Sequence, residues 1–377
     1  MLFANIPGLT DLKEQLIKGV KNGKIAHAQL FWGKSGAANL PMALAYATYL
    51  NCENPTETDA CGECNSCHKN AKFIHPDFQF SFPTAANDSI KGDDSKLSNN
   101  FMKYWRSFLT KDPFASVSNW IDHIGTGNRQ LNIAKDESKN IIRNLSLKAF
   151  EGKYKVMLIW LPEYLHPSAA NALLKIIEEP SDKTVFLLVS NNREKLIGTI
   201  ISRTQAVHVP NYSDEEVKQI LVSKYEVAEN QAKQLAHISQ GDLHKAVELI
   251  DDVSDDAQQE FEQWMRECWA NDYTKMVKRS DDFHKWGKMN QQQWLVHAEN
   301  ILRESLVALM QSTELMRVPD EHEQFVMKFS KTLSLEKIAQ MNEILNKAIY
   351  YLERNASAKM TLLNVSLQLS AILRRKA

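Results

Sequence analysis

An α/β domain on a parallel sheet, followed by an all-helical C-terminal region, is the fold class this chain predicts. Three observations carry the prediction. The segments KVMLIW (155–160) and TVFLLVS (184–190) are short, apolar and rich in β-branched residues, as strands buried on both faces of a parallel sheet must be. Helical segments stand between the strand-like ones, an order that calls for right-handed crossovers. After Pro210 no strand-like alternation remains, and helical patterns run on to Ala377.

Composition bounds the function. A length of 377 residues suggests two or three domains at ~150 residues each. Lys and Arg number 45 against 46 Asp and Glu, so the net charge is −1 and any nucleic-acid contact must come from a local patch. The longest strongly apolar run, Val156 to Pro162, is far short of the ~18–20 residues of a membrane span. The N-terminus MLFANIPGLTDLKEQ turns polar too soon for a signal peptide, so no membrane and no export are expected. The scarcity of glycine, 13 in all, suits a helix-rich chain.

The elements follow in order. Residues 9–22 place Leu12, Leu16 and Val20 at i, i+4 and i+8, an amphipathic helix. HAQLFW (27–32) reads as the first buried strand. GKSGAAN and the helix LPMALAYATYLN follow, and strand, glycine-containing loop and helix together open a nucleotide-binding α/β domain.

Cys52, Cys61, Cys64 and Cys67 then come in the spacing C-x8-C-x2-C-x2-C. Two overlapping C-x2-C steps let thiolates converge on one ion, and tetrahedral zinc favours four such sulfurs. The rival is a pair of disulfides, disfavoured without an export signal. With all four positions filled by sulfur, the Zn2+ is structural. His68 reads as a bystander and Cys268, in FEQWMRECWA, as core.

Residues 76–134 read as an insertion. HPDFQFSFPTAANDSIKGDDSKLSNN is polar and loop-like, and FMKYWRSFLTKDPFASVSNWIDHI brings aromatics with few bases among them. That pattern fits a hydrophobic seat on the body better than a base-stacking surface. A helix is expected at 134–150, another at 168–180 stopped by Pro180, and a helix and a final short strand in NREKLIGTIISRTQAVHV. Short helices at 213–223 (N-cap Ser213), 229–239 and 243–250 precede an acidic stretch at 251–262. Helices at 291–311, 323–330, 335–354 and 356–375 complete the chain. Leu335, Ile338, Met341, Leu345, Ala348 and Leu352 mark one apolar stripe, and Arg374, Arg375 and Lys376 read as a solvated helix end.

HAQLFWGKSGAAN, the four-cysteine module, SAANALLKIIEEP, TVFLLVSNNREKLIGTIISRT and NASAKMTLLNVSLQL, in this order, resemble bacterial clamp-loader subunits of the AAA+ class. The resemblance covers most of the chain except 76–134. It implies a RecA-like AAA+ ATPase-like domain over 1–210 with the zinc module at 52–67. A small helical lid at 211–252 and a helical collar at 253–377 would follow. It further implies a cytoplasmic protein in a hetero-pentamer with motor (gamma/tau-type) and delta-type subunits. The sliding clamp and primer-template DNA would be met through that complex.

Two kinds of subunit share this layout, the ATP-hydrolysing motor and the delta-prime type, which does not hydrolyse. A working phosphate loop reads G-x-x-x-x-G-K-[ST]. Here Gly33 starts the match and Gly36 lies within it, but the second glycine falls at Ala38, the lysine at Asn39 and the hydroxyl residue at Leu40. No ammonium reaches the β/γ-phosphates and no hydroxyl holds Mg²⁺, and Lys34 lies before the turn. In an active relative Asp-Glu would end the strand KVMLI, where Trp160 and Leu161 stand, and Glu163 comes too late. The lid's G-[DS]-L-R pattern reads Gly241-Asp242-Leu243-His244, again without its arginine. ATP hydrolysis is therefore not expected at this site.

Ser202-Arg203-Thr204 resembles the family's Ser-Arg-Cys motif. The resemblance implies that Arg203 is an arginine finger offered to a neighbouring subunit's ATP site, where a guanidinium forks onto phosphate oxygens. Two other functions remain alternatives at this point. One is an active AAA+ ATPase with divergent motifs, which would bind nucleotide at Gly33–Leu40. The other is a zinc-dependent nucleic-acid-binding protein, which the few bases around the cysteines argue against.

Overall fold

The computed structural model describes residues 1–377 apart from 128, 147, 253–255, 287, 312–315, 317–319, 355 and 375–377. Arg375, Lys376 and part of the acidic stretch thus lie outside the described residues. The chain divides into two compact units, Met1–Glu248 and Leu249–Ala377.

The first unit is built on five parallel strands. They are β1 (Ala28–Trp32), β2 (Phe78–Ser81), β3 (Lys155–Trp160), β4 (Thr184–Ser190) and β5 (Gln205–His208), in the order β2-β3-β4-β1-β5. Every residue of β3 and β4 is buried, as expected of apolar runs in the middle of a sheet. Strand β2 departs from the sequence reading, which takes its segment as loop. Phe78 and Phe80 alternate with Gln79 and Ser81 over only four residues. Pairing with β3, from Phe78 on Val156 to Ser81 on Ile159, makes the strand.

Helices α1 (Thr10–Lys21), α2 (Asn39–Asn51) and α3 (Asn65–Ala71) surround the first strand and the cysteines. Helix α2 is buried at every residue, which explains its lack of a polar face. Beyond β2 the chain makes a closed excursion. Thr84 and Asn132 each donate a backbone N–H to the other's carbonyl, at 2.9 and 3.1 Å, so it leaves and returns at one point.

The excursion carries α4 (Met102–Lys111) and α5 (Val117–Ile124). Its Phe101, Trp105, Phe108 and Trp120 are core. Trp105 stacks on Phe82 at 4.3 Å between centroids, meets Trp120 edge-on at 5.4 Å and touches Trp160 at 5.1 Å. Trp120 Nε1–H donates to the Pro83 carbonyl at 2.8 Å, so its polar atom is satisfied inside the cluster. Helices α6 (Lys135–Leu145), α7 (Pro167–Glu178) and α8 (Gly198–Ile201) complete the crossovers. Then α9 (Asp214–Tyr225), α10 (Glu229–Ser239) and α11 (Leu243–Asp252) begin the helical region. Ser213 and Glu216 close a reciprocal capping box at the start of α9.

The second unit holds α12 (Asp256–Ala270), α13 (Tyr273–Lys285), α14 (Lys288–Leu309), α15 (Asp320–Ser330), α16 (Leu335–Glu353) and α17 (Ala358–Leu373). One apolar core joins them, with Phe261, Trp264, Cys268, Leu302 and Leu369 at its centre. Trp264 Nε1–H is satisfied by Ser366 Oγ at 2.8 Å. The predicted stripe on α16 holds from Ile338 to Leu352, but Leu335 is 57% exposed because it opens the helix, ahead of the turn that reaches the core. Among the described residues no helix is long and apolar enough to cross a membrane.

Candidate functional site

The four cysteines converge. Cys52 ends α2, Cys61 lies in the loop, Cys64 caps α3 and Cys67 lies in its first turn. Their sulfurs all lie within 4.8 Å of one another, with Cys52–Cys61 at 3.5 Å and Cys61–Cys67 at 3.9 Å. A tetrahedron of ~2.3 Å zinc–sulfur bonds has edges of ~3.8 Å, so the donor set fits a zinc-sized ion. Backbone N–H groups of Cys61, Cys64 and Cys67 point at the sulfurs of Cys52, Cys61 and Cys64, at 3.2, 3.3 and 3.4 Å, and would favour thiolates. Amides of Glu63 and Cys64 push the Cys61 thiol down to about 6, while burial pushes those of Cys52 and Cys67 up. Bound there, the ion would complete a closed, structural shell. His68 is exposed on α3 and outside the sulfur cluster.

This module is tied to the body. Lys153 Nζ donates to the Cys52 carbonyl at 2.9 Å, and the Asn51 amide exchanges hydrogen bonds with the Tyr154 backbone at 2.9 and 2.8 Å. The Asp59 carboxylate accepts the N–H groups of Phe3 and Ala4 at 3.1 and 2.8 Å, holding the N-terminal segment to the same loop.

The degenerate phosphate loop leaves the C-terminal end of β1, where open α/β sheets bind ligands. Asn39, in the lysine position, turns inward. Its Nδ2 reaches the Lys34 and Ser190 carbonyls at 3.3 and 3.4 Å and Asn191 Oδ1 at 3.1 Å. Asn191 N–H in turn donates to Glu163 Oε1 at 3.0 Å. Burial raises the Glu163 carboxyl's pKa. Leu40 is buried, with 4% exposure. Gly33 has no room for a side chain, since a Cβ would run into the Val209 carbonyl.

A narrow cleft lies at the loop. Ser35, Gly36, Ala37, Pro113, Phe114 and Trp160 are among the residues lining the cavity at the loop, and its volume is about 10 Å³. That is room for about one water. The segment from Pro113 to Ser116 comes from the excursion between α4 and α5. Trp160, in the position of a metal-holding carboxylate, is 2% exposed and packed on Trp105. Gly36 has φ +82°, and a Cβ there would overlap the Asp242 carboxylate, which therefore sits on the loop's backbone. Burial raises the Asp242 carboxyl's pKa, against the opposing pull of the Lys245 N–H and His244.

His244 does not face the phosphate loop's missing ligand but the excursion. Its Nδ1 lies 2.7 Å from Asp112 Oδ2, and its Nε2 lies 2.9 Å from Asn119 Oδ1 and 3.0 Å from Glu248 Oε1. Both ring nitrogens meet acceptors, which requires both to donate, the imidazolium form. Burial opposes that charge, but Asp112, Glu248 and Asp242 outweigh it and raise the pKa. The excursion and α11 are thereby latched together beside the loop.

Arg203 follows α8 and is partly exposed. Its Nε donates to Glu178 Oε2 at 2.7 Å and its Nη1 to the Thr199 carbonyl at 3.2 Å. Ser202 Oγ donates to the same carbonyl at 3.2 Å, and Thr204 Oγ1 reaches the Ile200 and Ile201 carbonyls at 3.1 and 3.2 Å. Hydroxyl back-bonding thus fixes the backbone on both sides of the arginine. Sequence reasoning missed Glu178, Asp112 and Asn119. Asp242 was visible only as the second letter of a motif, and its place on Gly36 had no signal in the sequence.

A family model described as DNA polymerase III, delta subunit, matches residues 8–213, more than half of the chain. A DNA polymerase III subunit delta' of Pseudomonas aeruginosa is 30% identical over 178 residues, 47% of this chain and 41% of that protein. The DNA polymerase III subunit tau of Escherichia coli is 26% identical over 256 residues, 66% of this chain and 32% of that protein. Each match thus spans less than half of the relative's length. Among solved structures, a gamma subunit-related protein of Thermotoga maritima aligns with 96% of this chain and 100% of its own at 14% identity and a TM-score of 0.45, too loose a likeness to carry an argument. On the extent of the family match, the chain belongs to the DNA polymerase III, delta subunit family, with delta' subunits among its relatives.

Proposed function

We propose that the chain is a delta'-type clamp-loader subunit that acts as a stator: it does not hydrolyse ATP and offers Arg203 to the ATP site of a neighbouring subunit. The observation that carries the reading is the closed phosphate loop. The cleft at the loop, walled by Trp160 and the segment from Pro113 to Ser116, encloses only about 10 Å³, which supports a site narrowed against a triphosphate. The Asp242 carboxylate on Gly36 adds like charge where the phosphates would lie. Asn39 and Leu40 replace the residues that would bind phosphate and Mg²⁺. Arg203 remains charged and partly exposed on a fixed backbone.

In this reading the partners are gamma/tau-type motor subunits and a delta-type subunit in a hetero-pentamer in the cytoplasm. Zn2+ in the four-cysteine site is structural, and the sliding clamp and primer-template DNA are engaged through the complex. The domains are an ATPase-like domain to about residue 210, a lid to about 252 and a collar beyond. Equilibrium binding of ATP to the isolated chain, and assembly with candidate motor and delta-type subunits followed by native mass measurement, test it together. Absent nucleotide binding and a defined complex are expected. Saturable ATP binding with turnover by the chain alone would overturn the reading.

A further inference from the structure

We propose that Glu178 is the positioning residue for Arg203, resting on the reading of Arg203 as a finger given in trans. Glu178 is the last residue of α7, and Arg203 lies just past the end of α8. The two helices come from different crossovers, so their pairing is a tertiary arrangement and not a consequence of sequence neighbourhood.

A guanidinium has five N–H donors in one plane. Glu178 takes the Nε donor at 2.7 Å, and the Thr199 carbonyl takes one Nη1 donor at 3.2 Å. Two contacts in one plane fix both the direction of the side chain and the rotation of its head. They leave both Nη2 donors and the second Nη1 donor open, the forked edge that suits phosphate oxygens. Without Glu178 the head would turn about its last torsions and offer the fork only part of the time.

The pair is exposed, with side-chain exposures of 31% for Arg203 and 56% for Glu178, so its effect is that of orientation and modest in size. The role differs from that of Arg203 itself. Glu178 does not reach the neighbour's nucleotide; it decides how often the arginine is aligned when the neighbour closes. That separates kcat from KM: alignment affects the step in which charge develops on the phosphoryl group, not ATP binding.

The test uses the loader assembled from this chain with its motor and delta-type subunits, on primed DNA with the clamp. DNA-stimulated ATPase is measured for wild type, Glu178→Gln, Arg203→Ala and the double variant, with thermal melting of each isolated chain as a check on folding. Glu178→Gln keeps size but turns one carboxylate oxygen into a donor and removes the charge that strengthens the bond to Nε. It is expected to lower kcat about 3- to 5-fold with KM for ATP unchanged, and to lose part of that effect at high salt. In the Arg203→Ala background it is expected to change nothing further. An additive loss in the double variant, an unchanged kcat, or a faster enzyme on removing Glu178 would overturn the positioning role while leaving the finger standing. An Arg203→Ala loader with wild-type activity would instead overturn the finger, and the positioning role with it.

Discussion

Rebuilding the phosphate-loop motif should not rebuild the site. The perturbation is Ala38→Gly with Asn39→Lys and Leu40→Thr, which writes a full phosphate-loop sequence after Gly33. Two features of the structure oppose it. The cleft at the loop is narrow, with Trp160 and the segment from Pro113 to Ser116 against it. The Asp242 carboxylate rests on Gly36. One phosphate charge ~4 Å from that carboxylate, at an effective dielectric constant of ~20, costs about 4 kcal/mol, or roughly 10³-fold in affinity. The assay is anisotropy of a fluorescent ATP analogue with Mg²⁺, with circular-dichroism melts to establish that the variant is folded. No saturation is expected up to about 1 mM, a binding free energy weaker than about −4 kcal/mol. Adding Asp242→Ala should recover up to about 10³-fold, the Coulombic share. Micromolar binding by the triple variant alone would refute the account of the site as filled from within, and no gain from Asp242→Ala would refute the charge contribution assigned to that carboxylate.

The zinc reading predicts one metal per chain by elemental analysis, and Cys64→Ser should lose the metal and lower the melting temperature of the first unit; a metal-free wild type of equal stability would contradict it. Trp105→Ala should destabilise by about 3–5 kcal/mol in denaturant titration, since this fully buried ring touches both the excursion and Trp160. His244 has a folded pKa raised above the unfolded value of ~6.5, so its contribution is complete below that value and fades as pH rises through the folded pKa. His244→Gln should accordingly cost more at pH ~6 than at pH ~9, on the order of 1 kcal/mol at the lower pH, and equal costs at both would count against a charged latch.

Much of the fold can be read along the chain because its strands are short, apolar and separated by helices. Strands β3 and β4 announce themselves by runs such as VMLI and VFLLV, which have no polar face to offer water. Strand β2 hides, because Gln79 and Ser81 break its apolar content and its partner lies 78 residues on, Phe78 pairing with Val156. Leu335 fits the period of its helix and fails only because the helix begins there. The site divides in the same way. Cys52, Cys61, Cys64 and Cys67 are legible because the ligands are local in sequence. The missing lysine and the missing carboxylates are legible as absences. What fills the gap is not, because Pro113, Phe114 and Asp242 reach the loop only through tertiary placement. Trp160 shows both sides: as a lost carboxylate it is plain from the motif, and as the wall against which the excursion packs it emerges only from the ring contacts with Trp105 and Trp120.

Asn39 carries a last consequence. A loop ordered by a bound ligand depends on ligand concentration through mass action. Here the Asn39 amide supplies the cross-links itself, to Lys34, Ser190 and Asn191. On the proposed reading, the free energy of the folded first unit contains no ATP-concentration variable. On the same reading its shape would stay constant through a neighbour's cycle of binding, hydrolysis and release, a fixed reference against which moving subunits are measured.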